Sequence, residues 1–141
     1  MTRDVLITIV GTQNSPESGE NTVEVNVRGE YFYRAGRHYL RYEEVEEGSC
    51  DVIRNLVKFR QGSLETNKKG SVEATMCFET GKTHSNTYQT PFGTMLMEND
   101  TAWVDVTETE DLLEAEASYR LSMNCEFLAD CRIRITVKPI V

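Results

Sequence analysis

The sequence predicts an all-β protein, a single antiparallel barrel of about eight to ten strands. Three observations carry this. Apolar side chains recur with a period of two almost throughout. Short clusters of Gly, Pro, Asn and Ser interrupt them at turn spacing. No stretch shows a convincing helical period.

The elements follow in order. "DVLITIV" reads as a first strand, and "NSPESGEN" as the turn after it. "NTVEVNVRGEYFY" places Val23, Val25, Val27, Gly29, Tyr31 and Tyr33 on one parity, against Thr22, Glu24, Asn26 and Arg28 on the other. Such alternation marks a half-buried strand. After a turn at Ala35-Gly36, "RHYLRYEEV" continues with Leu40 and Tyr42 on one face. "DVIRNLVKFR" sets Ile53, Val57 and Phe59 opposite Arg54, Lys58 and Arg60. "QGS" closes a hairpin into "LETN", and "KKGS" another into "VEATMCF". "ETGK" leads to "THSNTYQT", and "PFG" to "TMLMENDTAWVDVTET".

"TETEDLLEAEASYRL" has helix-forming composition, but its alternation runs on into "YRLSM", so a strand is predicted. "CRIRITVKP" closes the series. Glu114, Glu116 and Arg120 then face Arg132, Arg134 and Lys138 across a final hairpin, as cross-strand charge pairs. Strands of this number must bury an apolar side and protect their edges. A closed barrel does both, and a sandwich is the alternative.

The 141 residues suit one domain spanning 1–141, with a core that needs no staples. A formal net charge of −8 argues against nucleic-acid partners and against anionic membranes. The first apolar run is too short and too interrupted for a secretory leader. No segment approaches the ~20 apolar residues of a membrane span. Cys50, Cys77, Cys125 and Cys131 form no C-x-x-C pair. A soluble cytoplasmic protein with reduced thiols is expected, without metal or cofactor.

"RGEYFYRAGRHYLRYEE", "GSVEATMCF" followed by "TYQTPFGTMLM", and "EASYRLSMN" with "RIRITV" resemble the YwiB-like proteins, uncharacterised bacterial proteins. The resemblance covers nearly the whole chain. It implies a calycin-like barrel, related in shape to lipocalins and fatty-acid-binding proteins. It implies no activity. The Cys125/Cys131 pair and His84 are not part of that pattern.

Candidate site residues come from polar groups on core parities and from large aromatics. His84, Asn86, Tyr88 and Thr90 share one face of a strand. Facing inward they form a polar stripe able to orient a ligand; facing outward they are solvated surface. Asn55 lies on the parity of Ile53, Val57 and Phe59, where a buried amide needs partners. Trp103 is read as core or pocket wall, and Phe92 as a plug or lining at the barrel mouth. "PFG" itself re-aims the chain, because Pro91 cannot donate to a central ladder and Gly93 permits positive φ.

Tyr31, Phe32, Tyr33, Tyr39 and Tyr42 are reminiscent of stacking platforms, but acids follow at once and no positive groove is visible. "EEVEE" (Glu43, Glu44, Glu46, Glu47) lacks calcium-loop spacing and reads as a solvated charge run. Cys125 and Cys131 flank a short connection, as two free thiols or a redox pair. No nucleophile motif is present.

The preferred function is a non-catalytic barrel holding a small-molecule or lipidic, partly apolar ligand, with Asn55, His84, Asn86, Tyr88, Phe92 and Trp103 at the site. The alternative is a filled barrel that works through its surface, as a homodimer or with a protein partner. An enzyme using His84 with Tyr88 is the third reading.

Overall fold

The computed structural model describes residues 2–45 and 51–140. Ten strands alternate in direction: β1 (Asp4–Ser15), β2 (Gly19–Arg34), β3 (Arg37–Val45), β4 (Val52–Arg60), β5 (Ser63–Lys69), β6 (Glu73–Glu79), β7 (Thr83–Thr90), β8 (Gly93–Glu108), β9 (Leu113–Met123) and β10 (Glu126–Pro139). Each pairs antiparallel with its sequence neighbours, and β1 pairs with β10, so the sheet closes on itself as a barrel. The helix-prone segment before "YRLSM" is strand β9. There, Leu113, Ala115 and Ala117 are buried, so packing decides against propensity.

The lower end of the barrel carries the turns at 35–36, 61–62, 80–82 and 109–112. The upper end carries those at 16–18, 70–72, 91–92 and 124–125. Inward side chains of the lower half are sealed: Ile7, Leu40, Phe59, Leu64, Leu113 and Val137 lie in one core cluster. Inward side chains of the upper half are mixed: Tyr42, Ile53, Asn55, Ala74, Asn99, Leu121, Ala129 and Cys131 are buried. Ile9, Lys68, Met76, Met97, Met123 and Ile133 are only half-buried although they share the core parity. Inward side chains that still meet solvent mark a partly open interior, so the upper half is a partly filled cup above the lower core.

Two breaks in the wall widen that cup. β2 pairs with β3 only over Glu30–Arg34. Above, Val23 and Val25 keep the inward parity but are exposed. Gly29 marks the parting point. A Cβ there would lie 2.6 Å from Ile7 Cδ1 and 2.7 Å from the Arg41 carbonyl oxygen, so only glycine admits this approach of β3. The second break is between β6 and β7, which pair only at Glu73–Gln89 and Ala74–Tyr88.

The outer face is charge-paired along the last hairpin, as its alternation requires. Arg134 lies 3.4 Å from Glu116, Arg132 lies 3.5 Å from Glu116, and Arg120 lies 3.3 Å from Asp130. These exposed pairs add little stability each.

Candidate functional site

The cup holds a fixed set of polar groups. Asn55, on β4, is 3% exposed. Its Oδ1 accepts from Lys68 Nζ at 3.0 Å, and its Nδ2 donates to the Ile53 carbonyl at 3.4 Å. Lys68 also reaches Glu44 at 2.8 Å. All three strands present these residues on the inward parity, because β3, β4 and β5 pair in register at Tyr42–Asn55 and Asn55–Lys68.

The face of β7 turns inward. Asn86, Tyr88 and Thr90 are half-buried while Ser85, Thr87 and Gln89 are exposed. Asn86 Nδ2 donates to Asn99 Oδ1 at 3.3 Å. Asn99, on β8, is fully buried, and its Nδ2 donates to the Cys77 carbonyl of β6. One side chain thus bridges the break where the β6–β7 ladder is missing. A cleft of about 330 Å³ opens at this break, lined by Lys68, Ala74 and Asn86 from inside and Lys69, Thr75 and Thr87 from outside.

His84 belongs to the gap rather than to the cup's polar cluster. Its Nε2 lies 3.2 Å from Glu79 Oε1. His84 and Tyr88 are four residues apart on one strand, about 13 Å along it. They do not form a shared proton-transfer site.

Of the two aromatics expected at the site, Phe92 and Trp103, neither lies inside the barrel, although Trp103 does wall a cleft on the outer face. Phe92 is 100% exposed at the tip of the β7–β8 hairpin and neither plugs nor lines the mouth. Its turn is the expected corner: Gly93 has φ 137°, and the Phe92 amide donates to Thr90 Oγ1 at 3.2 Å. Trp103 is on the outer face, with Arg132 over its ring at 5.6 Å. The cause is a β-bulge between Thr101 and Trp103, which inserts Ala102 and reverses the parity. Asn99 and Thr101 are inward before the bulge, Val104 and Val106 after it. Cys125 occupies the β9–β10 turn while Cys131 is buried well up β10, so the two do not face each other as a redox pair. Glu46, Glu47 and Cys50 lie outside the described residues.

At the lower mouth, a cleft of about 550 Å³ includes Tyr31, His38 and Glu108. Tyr31 Oη and His38 Nδ1 are 2.7 Å apart, and His38 Nε2 is 3.6 Å from Glu108. Burial lowers the His38 pKa against the opposing pull of Glu108, and burial with the Glu108 charge raises that of Tyr31. The pair is therefore neutral at pH 7, with the phenol donating to Nδ1 and the Nε2 hydrogen facing Glu108. His38 also stacks on Phe59 at 5.1 Å, so it forms the lid of the lower core.

Since folded His38 takes up a proton less readily than the unfolded chain, its contribution is whole above about pH 6.5. It is lost as pH falls below that value. Urea midpoints are expected to drop between pH 7.5 and pH 5.5, and His38→Gln to flatten part of that drop. An unchanged pH profile in the variant would remove this role.

Sequence reasoning missed Asn99, Lys68, Glu44 and His38. Asn99 carried a legible signal, since it continues the parity of Met95 and Met97. Lys68 was hidden by reading "KKGS" as a turn, where β5 runs on to Lys69.

Fold and site together define a class: a closed ten-strand up-and-down antiparallel β-barrel. The chain belongs to the family described as "Domain of unknown function (DUF1934)", whose model matches residues 7–135. It is similar in structure to the ywiB protein from Bacillus subtilis, known from a crystal structure. The TM-score is 0.74 at 20% identity, covering 100% of this chain and 96% of that one. At that identity the likeness shows the fold. No curated protein matches the chain. Among the described residues, no helix is long and apolar enough to cross a membrane.

Proposed function

We propose that this protein is a non-catalytic, cytoplasmic binding module that takes a small, partly apolar ligand into the upper half of its barrel. One observation carries the reading: Ile9, Lys68, Met76, Met97, Met123 and Ile133 point into the upper half and stay half-buried, above a lower half whose core cluster is sealed. Met76, Met97, Met123 and Ile133 offer an adaptable apolar wall. Lys68 and Asn86 offer polar atoms already oriented by Glu44, Asn55 and Asn99. This is the usual composition of a small-ligand site. The breaks at β2–β3 and β6–β7 supply entry. The calycin-like shape that the family resemblance implies agrees with this use, as an analogy of fold.

The test is native mass spectrometry of the purified protein, with titration by the apolar dye 1-anilinonaphthalene-8-sulfonate. We expect a co-purifying mass or saturable one-to-one dye binding. Met97→Trp, which fills the cup, should abolish dye binding without lowering the melting temperature. A protein with no bound mass and no saturable dye binding would end the proposal. A second reading, a homodimeric interaction barrel, is supported by the exposed apolar side chains Val23, Phe92, Leu96 and Phe127 near the upper rim. The same spectrum reads it out as a dimeric species.

A further inference from the structure

We infer that the outer face of β2–β5 carries a second site, separate from the barrel interior, for a nucleotide-like anion: a phosphate joined to a planar ring. The cleft there is about 590 Å³, and the charged side chains lining it are Arg34, Arg41, Arg54 and Lys69, without an acid. A formal net charge of −8 makes such a concentration of cations conspicuous.

Among the described residues none of these four cations is in an ion pair, although Glu30 and Glu43 stand opposite Arg41 and Arg54. Glu30 stands opposite Arg41 on β2, but its carboxylate is taken by Arg3 at 2.8 Å. Glu65, on the neighbouring outer face of β5, pairs with Lys58 at 3.5 Å. Glu43 is opposite Arg54 in register, and it forms no ion pair among the described residues. The arginines of β10, in contrast, all meet carboxylates.

Within the cleft, one cross-strand position also sets like charges directly opposite each other, where Arg54 faces Lys69. Like charges so placed destabilise a sheet. An anion lying between them converts that repulsion into binding energy.

The same face supplies a flat aromatic surface. Phe32 and Tyr39 stack at 5.0 Å with their planes 5° apart, and Arg41 lies over Phe32 at 5.5 Å. Leu56 and Asn67, opposite each other, add an apolar contact and an amide. Cations beside aromatic rings on a sheet face suit a phosphate attached to a stacking base. A free nucleotide and a nucleotide within a single strand share this chemistry.

The experiment is fluorescence anisotropy with a labelled single-stranded oligo-uridine of about ten nucleotides, the scale of one strand-binding face, at low salt. Uridine monophosphate and pyrophosphate serve as competitors. Binding is expected to be saturable and to weaken with added salt. The Arg54→Ala/Lys69→Ala double variant should lose at least about tenfold in affinity, the effect of removing phosphate contacts. Its melting temperature should hold or rise, since a repulsive pair is gone.

Tyr39→Leu, which keeps apolar bulk, should also weaken binding. Arg132→Ala, across the barrel, should leave it unchanged. Displacement by the mononucleotide at low concentration identifies a free nucleotide, and resistance to it a strand. No saturable binding of either probe would overturn the inference. So would equal losses from Arg132→Ala, or pyrophosphate competing as well as the nucleotide with Tyr39→Leu unaffected. A failed dye titration in the cup leaves this result untouched, because the Arg54→Ala/Lys69→Ala and Tyr39→Leu variants change outward side chains only, although Asn55 lines both clefts.

Discussion

Phe59→Ala is expected to lower the unfolding free energy by about 3–5 kcal/mol. Phe59 is 1% exposed and sits between His38 on β3 and Leu64 on β5 in cross-strand register. Its ring stacks on His38 and packs in the cluster that includes Leu40, Leu113 and Val137. A closed ladder leaves the strands little freedom to move in, so much of the lost volume remains as a cavity. Urea unfolding checks this. A loss below about 1 kcal/mol, the scale of a trivial core change, would mean that the lower half is not the sealed core described above. The variant also bears on function. If that core seals the floor of the cup, its loss should alter dye binding in the upper half without a change at the Met97 wall.

Asn99→Ala should cost about 2–4 kcal/mol, because each buried polar partner left without a bond costs roughly 1–3 kcal/mol. The partners are the Cys77 carbonyl and the Asn86 amide. More informative is where the damage falls. Between β6 and β7 the ladder offers only two residue pairs, and Asn99 supplies the link below them. Hydrogen exchange should therefore accelerate in 73–79 and 83–90 first, ahead of β9 and β10. Uniform acceleration throughout the barrel, or none, would deny Asn99 its bridging role. Faster dye entry is expected as well, since the same break is one of the cup's openings.

Much of the architecture was legible along the chain. Period-two alternation in "NTVEVNVRGEYFY" and "CRIRITVKP" identified strands and their faces, and the cross-strand acids and bases of the last hairpin meet as that parity requires. The Pro91-Phe92 corner was legible from proline's missing donor and from glycine's freedom at positive φ. Of the site, Asn55 was placed correctly in the core from parity alone. The inward face of β7 was not decided by its sequence. "THSNTYQT" is polar on both parities, and no local signal tells a polar lining from a polar surface.

By itself, then, the amino-acid order determined an all-β chain, the approximate strand boundaries, and the two faces of each apolar strand. These follow from a local period, which each strand carries in its own residues. The tertiary structure alone decided the rest. A single inserted residue, Ala102, sent Trp103 from the core to the surface, because a bulge is a property of a strand pair. Pairing ended early between β2 and β3 and between β6 and β7, opening the cup. Closure of the sheet set Arg54 and Lys69 beside Phe32 and Tyr39, completing a positive aromatic face of which the β2–β3 segment shows only one side. Such features depend on which strand lies next to which, and that information is spread over residues far apart in the chain.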